Sequence, residues 1–293
     1  MRWDHHKHKT YTQCPRHYKF DADRTEPTKP DNRYYAVRGI VMQKFFELYA
    51  NGHYPKNQDM GFSQVKKFLK PFYDRELTYN HVDWRAPMCK KDKEGLLEEI
   101  CEIIVQNLER LDLYASGVRS EVKYVVTLKN GDELVGKLDF EKDYPDGEVA
   151  ILDGKSTATL NKNIDVEQLL FYAWLYRAKH GKLPGKLGFV YYQLVQLDWK
   201  TFDELDVIKA VRSVLASLEA ARNDTVFAPK PCATACKYCP FMDKCPEGQA
   251  SKDSRKRGSR DAGLEDLFGD ASSDGFLSTP NKLPGSPEKK PRK

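Results

Sequence analysis

The sequence predicts an α/β domain, a mixed central sheet flanked by helices. Three observations point there: helix-spaced apolar residues that end near Tyr114, two strand-like runs joined at Asn130-Gly131, and helical and strand-like segments that then alternate as far as Arg222. Elements alternating in this way bury a sheet between helical layers. A chain of 293 residues, 40% hydrophobic and 31% charged, has room for one large domain or two small ones and enough material for a core.

Each element has its own signal. Cys14-Pro15-Arg16-His17-Tyr18-Lys19-Phe20 opens the ordered part. Before it, His5, His6 and His8 could bind metal but read as a frayed polar end. Tyr34 to Ala50 is predicted as a helix, with Val37, Ile40, Val41, Phe45 and Leu48 on its apolar face. Phe62 to Tyr79 and Glu94 to Tyr114 are two more, the second carrying Leu97, Ile100, Ile104, Leu108 and Leu111 at helical spacing. Val118 to Leu128 alternates like a strand and stops at the hairpin signal Asn130-Gly131. Leu134 to Phe140 is the return strand, Asp146-Gly147 the next turn, and Glu148 to Lys155 the third strand. Asp165 to Lys179 follows as an amphipathic helix, then the aromatic strand Leu187 to Leu197 and the long helix Phe202 to Arg222.

Residues 1–248 therefore form one domain. Residues 249–293, rich in Ser, Gly, Pro and charge, are expected to be a disordered tail. Within it, Leu264-Glu265-Asp266-Leu267-Phe268 is either a docking motif for a protein partner or a solvated linker. The net charge of +5 is compatible with a polyanionic partner and does not require one. The amino terminus lacks the apolar core of a secretory signal, and no run of apolar residues is long enough to span a membrane. Seven cysteines in such a chain suggest a reducing, cytoplasmic setting, where clustered thiols bind metal more often than they pair.

The chemistry concentrates in Gly136-Lys137-Leu138-Asp139-Phe140 and Ile151-Leu152-Asp153-Gly154-Lys155-Ser156. Two carboxylates on adjacent strands make an oxygen-rich cage for a hard cation such as Mg²⁺ or Mn²⁺. Lys155, two residues after Asp153, points to the same side of its strand, where it can hold a water or offset phosphate charge. Such a set suits metal-assisted hydrolysis of a phosphodiester. Asp153-Gly154 also reads as a tight hairpin turn, but Ser156-Thr157-Ala158-Thr159 does not continue as a clean second strand.

Taken in order, Gly39-Ile40-Val41-Met42-Gln43, Gly136 to Asp139, Asp153-Gly154-Lys155 and Gln168-Leu169-Leu170-Phe171-Tyr172 resemble the PD-(D/E)xK nuclease superfamily, in its RecB-like branch. The resemblance covers roughly residues 10–248 and implies a restriction-endonuclease-like α-β-β-β-α-β core. It implies Asp139, Asp153 and the Gly154 carbonyl as metal ligands, and Lys155 as the catalytic lysine. Gln168 and Tyr172, one helical turn apart, would contact DNA and brace the site. Where the family usually carries a histidine, this chain has Gln43, a weaker oxygen ligand; Glu47 or Glu121 are the alternatives for that place.

A second match lies in the cysteines. Cys14 precedes the core, while Cys236, Cys239 and Cys245 follow it behind Phe227-x-Pro229-x-Pro231. This split set resembles iron–sulfur members of the branch, the CRISPR-associated exonucleases and the AddB nuclease domain, and implies a 4Fe–4S cluster on those four residues. Read locally, Cys232, Cys236, Cys239 and Cys245 could instead hold a structural zinc.

The function so implied is a Mg²⁺- or Mn²⁺-dependent DNA exonuclease. It would act on single strands or free ends in recombination, repair, CRISPR adaptation or phage DNA metabolism. Arg16, Lys162 and Tyr172 are candidates to guide the strand. A DNA-binding module with a weakened site and a zinc-stabilised interaction protein are the other readings.

Overall fold

A six-stranded mixed sheet stands at the centre of the computed structural model, which describes residues 1–24, 33–54, 60–114, 116–160, 165–232, 235–236 and 239–250. The expected docking motif at Leu264 to Phe268 and Lys162 lie outside the described residues.

The amino terminus is a correction to the sequence reading. It is no frayed end: β1 (Arg2–Trp3) joins the sheet and leads into α1 (His5–Gln13) and α2 (Pro15–Ala22). Asp4 caps α1 by accepting a hydrogen bond from Lys7 N at 2.8 Å. Pro15 starts α2 at a position where its missing N–H costs nothing. Trp3 is fully buried and donates its indole N–H to Ser217 Oγ at 3.2 Å. A polar composition hid these tertiary anchors.

Then come α3 (Tyr34–Ala50), α4 (Phe62–Tyr79) and α5 (Lys93–Arg110), the last followed by a 3₁₀ turn at Asp112–Tyr114. They pack on one face of the sheet. Val37, Val41, Phe45 and Phe46 of α3 and Leu97, Ile100 and Ile104 of α5 share a core with Phe140, Ala150, Leu152 and Tyr192. The strands β2 (Val118–Thr127) and β3 (Glu133–Asp143) pair antiparallel along their length, and β4 (Val149–Lys155) pairs antiparallel with the end of β3.

The helix α6 (Val166–His180) crosses the opposite face and delivers β5 (Lys186–Tyr191) parallel to β4. The predicted single strand Leu187 to Leu197 is two strands. After β5 the chain turns at Tyr192–Leu194, with Val195 at φ 51, and returns as β6 (Gln196–Lys200), antiparallel to β5. Period-two apolar spacing persists through the turn, which masked the reversal. The last long helix, α7 (Glu204–Asn223), begins with a reciprocal cap between Asp203 and Asp206. With α1 and α6 it covers the second face, where Trp3, Tyr11, Leu138, Ile151, Leu175, Phe189 and Val214 form the other core.

One irregularity positions the site. Along β3, Leu134 and Leu138 face the second core but Phe140 faces the first; along β2, Tyr124 and Val122 face the second but Val118 the first. Both strands reverse their faces around the opposed pair Glu121 and Asp139, which the ladder skips between Ser120↔Phe140 and Val122↔Leu138. Glu121 takes a φ of 60, the left-handed region, which costs a non-glycine residue about 1–3 kcal/mol.

Candidate active site

Asp139 and Asp153 sit side by side because β3 and β4 are antiparallel. Phe140↔Leu152 is a register pair, and one further step brings the two aspartates opposite each other. Asp139 Oδ2 accepts the backbone N–H of Gly154 at 2.8 Å. The hairpin reading of Asp153-Gly154 is overturned: both residues lie within β4, registered with Phe189 and Val190 of β5.

Asp153 is buried, at 4% exposure, and its Oδ2 lies 2.5 Å from Lys155 Nζ. The ammonium also stands over the Phe189 ring, 5.2 Å from its centroid. Burial pushes the Asp139 carboxyl up to about 7, reinforced by the Asp153 charge and opposed by the Gly154 N–H and Lys155. Burial also raises Asp153, against the pull of Lys155. Two carboxylates desolvated together in this way have an incentive to share a cation.

Gln43 reaches the same place from α3. Gly39, one turn earlier, lets the helix approach the segment after β4: a Cβ there would lie 2.9 Å from Ser156 Oγ. Gln43 Oε1 accepts the Tyr192 hydroxyl, and Gln43 Nε2 is buried without a hydrogen-bond partner. A Cβ on Gly154 would run into the Tyr192 hydroxyl and come within 2.7 Å of Gln43 Oε1. The Gly154 backbone is thus bare on the side that Gln43 faces. Hard oxygen donors from Asp139, Asp153, the Gly154 carbonyl and the Gln43 amide fit a divalent cation, and Asp153 Oδ2 is a buried acceptor without a hydrogen bond, held only by its ion pair with Lys155.

The alternatives to Gln43 are placed elsewhere. Glu47 is one turn further along α3 and pairs with Lys44 Nζ at 2.5 Å. Glu121 faces Asp139 across the β2/β3 ladder but is paired with Lys137.

On α6, Gln168 Nε2 donates to the Tyr172 hydroxyl at 3.0 Å. Burial raises the Tyr172 pKa, and the charges of Asp153 and Asp139 add to the rise, so the phenol lies within their field. Gly136 makes room for it: a Cβ there would lie 3.0 Å from the Tyr172 ring. Tyr192 was missed in the sequence, where it reads as one more aromatic in a strand. Asn107 of α5 holds it, donating to the Tyr192 carbonyl at 2.7 Å.

The cysteines gather at a second place. Cys14, Cys232, Cys236, Cys239 and Cys245 all line a cavity of ≈ 590 Å³. Lys230 N–H donates to Cys14 Sγ at 3.4 Å, and Cys232 N–H donates to Cys236 Sγ at 3.3 Å. The Cys239 thiol is raised by burial and then by the charges of Cys14, Cys236 and Cys245. Arg16 belongs to this cavity and not to the carboxylates. Its Nε donates to the Phe227 carbonyl at 3.2 Å, and Nη1 lies 3.7 Å from Glu247.

Among the described residues, no helix is long and apolar enough to cross a membrane. A family model described as the PD-(D/E)XK nuclease superfamily matches residues 2–246. No curated protein is a significant match. Several solved structures are distantly similar, among them these two. One, described as "Putative exonuclease" from Eubacterium rectale, is 16% identical with a TM-score of 0.46, covering 79% of this chain and 84% of its own. The other, SSO0001, is 13% identical with a TM-score of 0.33, covering 72% of this chain and 96% of its own.

Proposed function

This chain belongs to the PD-(D/E)XK nuclease superfamily, and we propose that within it the chain is a DNA exonuclease of the RecB-like branch, dependent on Mg²⁺ or Mn²⁺ and acting on single strands or free ends. The observation that carries this reading is the Asp139, Asp153 and Lys155 arrangement. A carboxylate fixed by the Gly154 N–H stands opposite a buried carboxylate that is paired with a lysine.

In this reading Asp139, Asp153, the Gly154 carbonyl and Gln43 hold the cation. When bound, that cation polarises the scissile phosphate and lowers the pKa of a water. Lys155, paired with Asp153 in the metal-free site, would orient the water or offset phosphate charge through its ammonium. Gln168 and Tyr172, hydrogen-bonded to each other, brace the second side of the site.

We also assign the cysteine cavity to a 4Fe–4S cluster on Cys14, Cys236, Cys239 and Cys245. The charges of Cys14, Cys236 and Cys245 all act on the Cys239 thiol, which places these four within one another's field. Residues 1–248 are then one nuclease domain closed by the cluster, with residues 249–293 a tail.

Single-stranded DNA labelled at either end, incubated with Mg²⁺ or Mn²⁺, tests the activity. Progressive release of label from one end is the expected result. Internal cuts would make it an endonuclease, and tight binding without cleavage would make it a binding module.

A further inference from the structure

On the second face of the sheet, α1 brings two histidines against the start of α6. His5 and His8 are 6% and 3% exposed. Their ring nitrogens and a Glu167 carboxylate oxygen all lie within 4.8 Å of one another.

Hydrogen bonding around Ser217 decides the His8 tautomer. A hydroxyl has one hydrogen to give and two lone pairs. Ser217 Oγ donates its hydrogen to the Val214 carbonyl at 2.7 Å and accepts from Trp3 Nε1 at 3.2 Å. His8 Nδ1, 2.8 Å from the same oxygen, must therefore be the donor. In the neutral ring that leaves Nε2 with a bare lone pair, 3.1 Å from Glu167 Oε2. Lone pair and carboxylate repel at that distance unless something positive lies between them. His5 Nε2 makes the same demand, since it is buried without a hydrogen-bond partner, 3.9 Å from Glu167 Oε2 and 3.8 Å from Asp165 Oδ2.

A proton on His8 Nε2 would satisfy the first contact but leave His5 orphaned. A cation at the centre satisfies all three groups. Tetrahedral zinc with ligands at about 2.0–2.1 Å sets them roughly 3.3 Å apart, and the separations of 3.1 and 3.9 Å lie on either side of that value.

We propose that His5 Nε2, His8 Nε2 and Glu167 form a zinc site, separate from the carboxylate site and the cysteine cavity. Two imidazoles and one carboxylate select a borderline ion over the Mg²⁺ that an all-oxygen set prefers. Ser217 serves as the outer partner that fixes the His8 ring. The site clamps the helix leading to Cys14 onto the helix that carries Gln168 and Tyr172. Asp165 Oδ2, held by Lys9 at 2.8 Å, lies 3.8 Å from His5 Nε2.

The test is a zinc titration of the full chain followed by ¹⁵N resonances of the histidine rings. Zinc taken up in the cysteine cavity, which His17 lines, would reach the His17 ring and leave those of His5 and His8 unmoved. The expected result is that His5 and His8 Nε2 shift together to metal-bound values while His8 Nδ1 keeps its proton. His5→Gln removes a nitrogen that has no partner, so the fold should hold by circular dichroism. Zinc affinity read at His8 should then fall by at least about tenfold. Glu167→Gln, at a partly exposed position, should do the same. If His8 Nε2 retains its own proton at saturating zinc, or His5→Gln binds as tightly as the parent, the cluster is a shared-proton pair and the proposal fails.

Discussion

The backbone N–H of Gly154 donates to Oδ2 of Asp139 at 2.8 Å, so one candidate ligand is oriented by the backbone of another. The bond ties β3 to β4 one step past their last register pair. It also holds Asp139 while its ordinary solvation is stripped away. The carboxylates are thus pre-set by the sheet, and little conformational freedom remains to be lost when a cation binds.

Asp153→Asn and Asp139→Asn should each abolish cleavage, by at least on the order of 10²–10³-fold, while DNA affinity persists. Affinity for nucleic acid comes mainly from phosphate contacts with cations, which these changes leave in place. Lys155→Ala should lose cleavage too but keep metal binding. Cleavage and filter-binding assays on the three proteins separate these effects; parental turnover in Asp153→Asn would remove the aspartates from the active site.

Much of this site was legible in the sequence because strands write a period of two. An aspartate in each of two successive apolar strands, with a lysine two residues on, can converge on only one place. Tyr192 was not legible, since its partner Gln43 is far away in the chain and a phenol in an aromatic run reads as core. The face reversal at Glu121 and Asp139 left no mark either, because a left-handed backbone at glutamate has no residue-type signature. His5 and His8 were read as surface for a related reason. The groups that bury them, Glu167 and Ser217, lie more than 150 residues onward.

Gly136→Ala should unsettle the α6 contact without touching a ligand. The added methyl meets Leu175 and lies 3.0 Å from the Tyr172 ring, both on a helix packed against β3. Overpacking of this kind costs about 1–3 kcal/mol, visible as a lower denaturant midpoint. Because Tyr172 must move, cleavage should fall further than DNA binding does.

Stability should depend on pH in a way that divalent metal reverses. Asp139 has a folded-state pKa raised to about 7 against 3.8 for the ordinary group. Between those values the folded protein holds a proton that the unfolded chain has released, so stability falls as pH rises through that window. A cation at the carboxylates removes the penalty by displacing the proton. Melting temperatures with Mg²⁺ and with chelator should therefore diverge as pH rises and meet below about pH 4. Asp139→Asn should close most of the gap.

Gln43→His should raise activity if the residue belongs to the cation's shell. An imidazole is a better ligand for Mn²⁺ than a neutral amide, so the gain should be larger with Mn²⁺ than with Mg²⁺. The same change deletes the acceptor of the Tyr192 hydroxyl, which is fully buried and would lose about 1–3 kcal/mol if left unpaired. The expected signature is a more active but less stable protein. Unchanged metal preference would place Gln43 outside the shell and turn attention to Glu121, across the ladder from Asp139.

Cys14→Ala and Cys232→Ala should differ sharply. Cys14 sits between α1 and α2, and its sulfur accepts from Lys230 near the far end of the described chain. A cluster on Cys14, Cys236, Cys239 and Cys245 would join the two ends of the nuclease domain. Its binding free energy would then count as folding free energy. Losing Cys14 should bleach the brown colour, release iron and lower the melting temperature of the whole domain. Losing Cys232, which contributes a backbone N–H to Cys236 Sγ that any residue but proline can supply, should do none of these. A zinc knuckle predicts the opposite pattern, with Cys232 essential, Cys14 dispensable and the protein colourless. Metal content and melting curves of the two variants, purified without oxygen, decide between them.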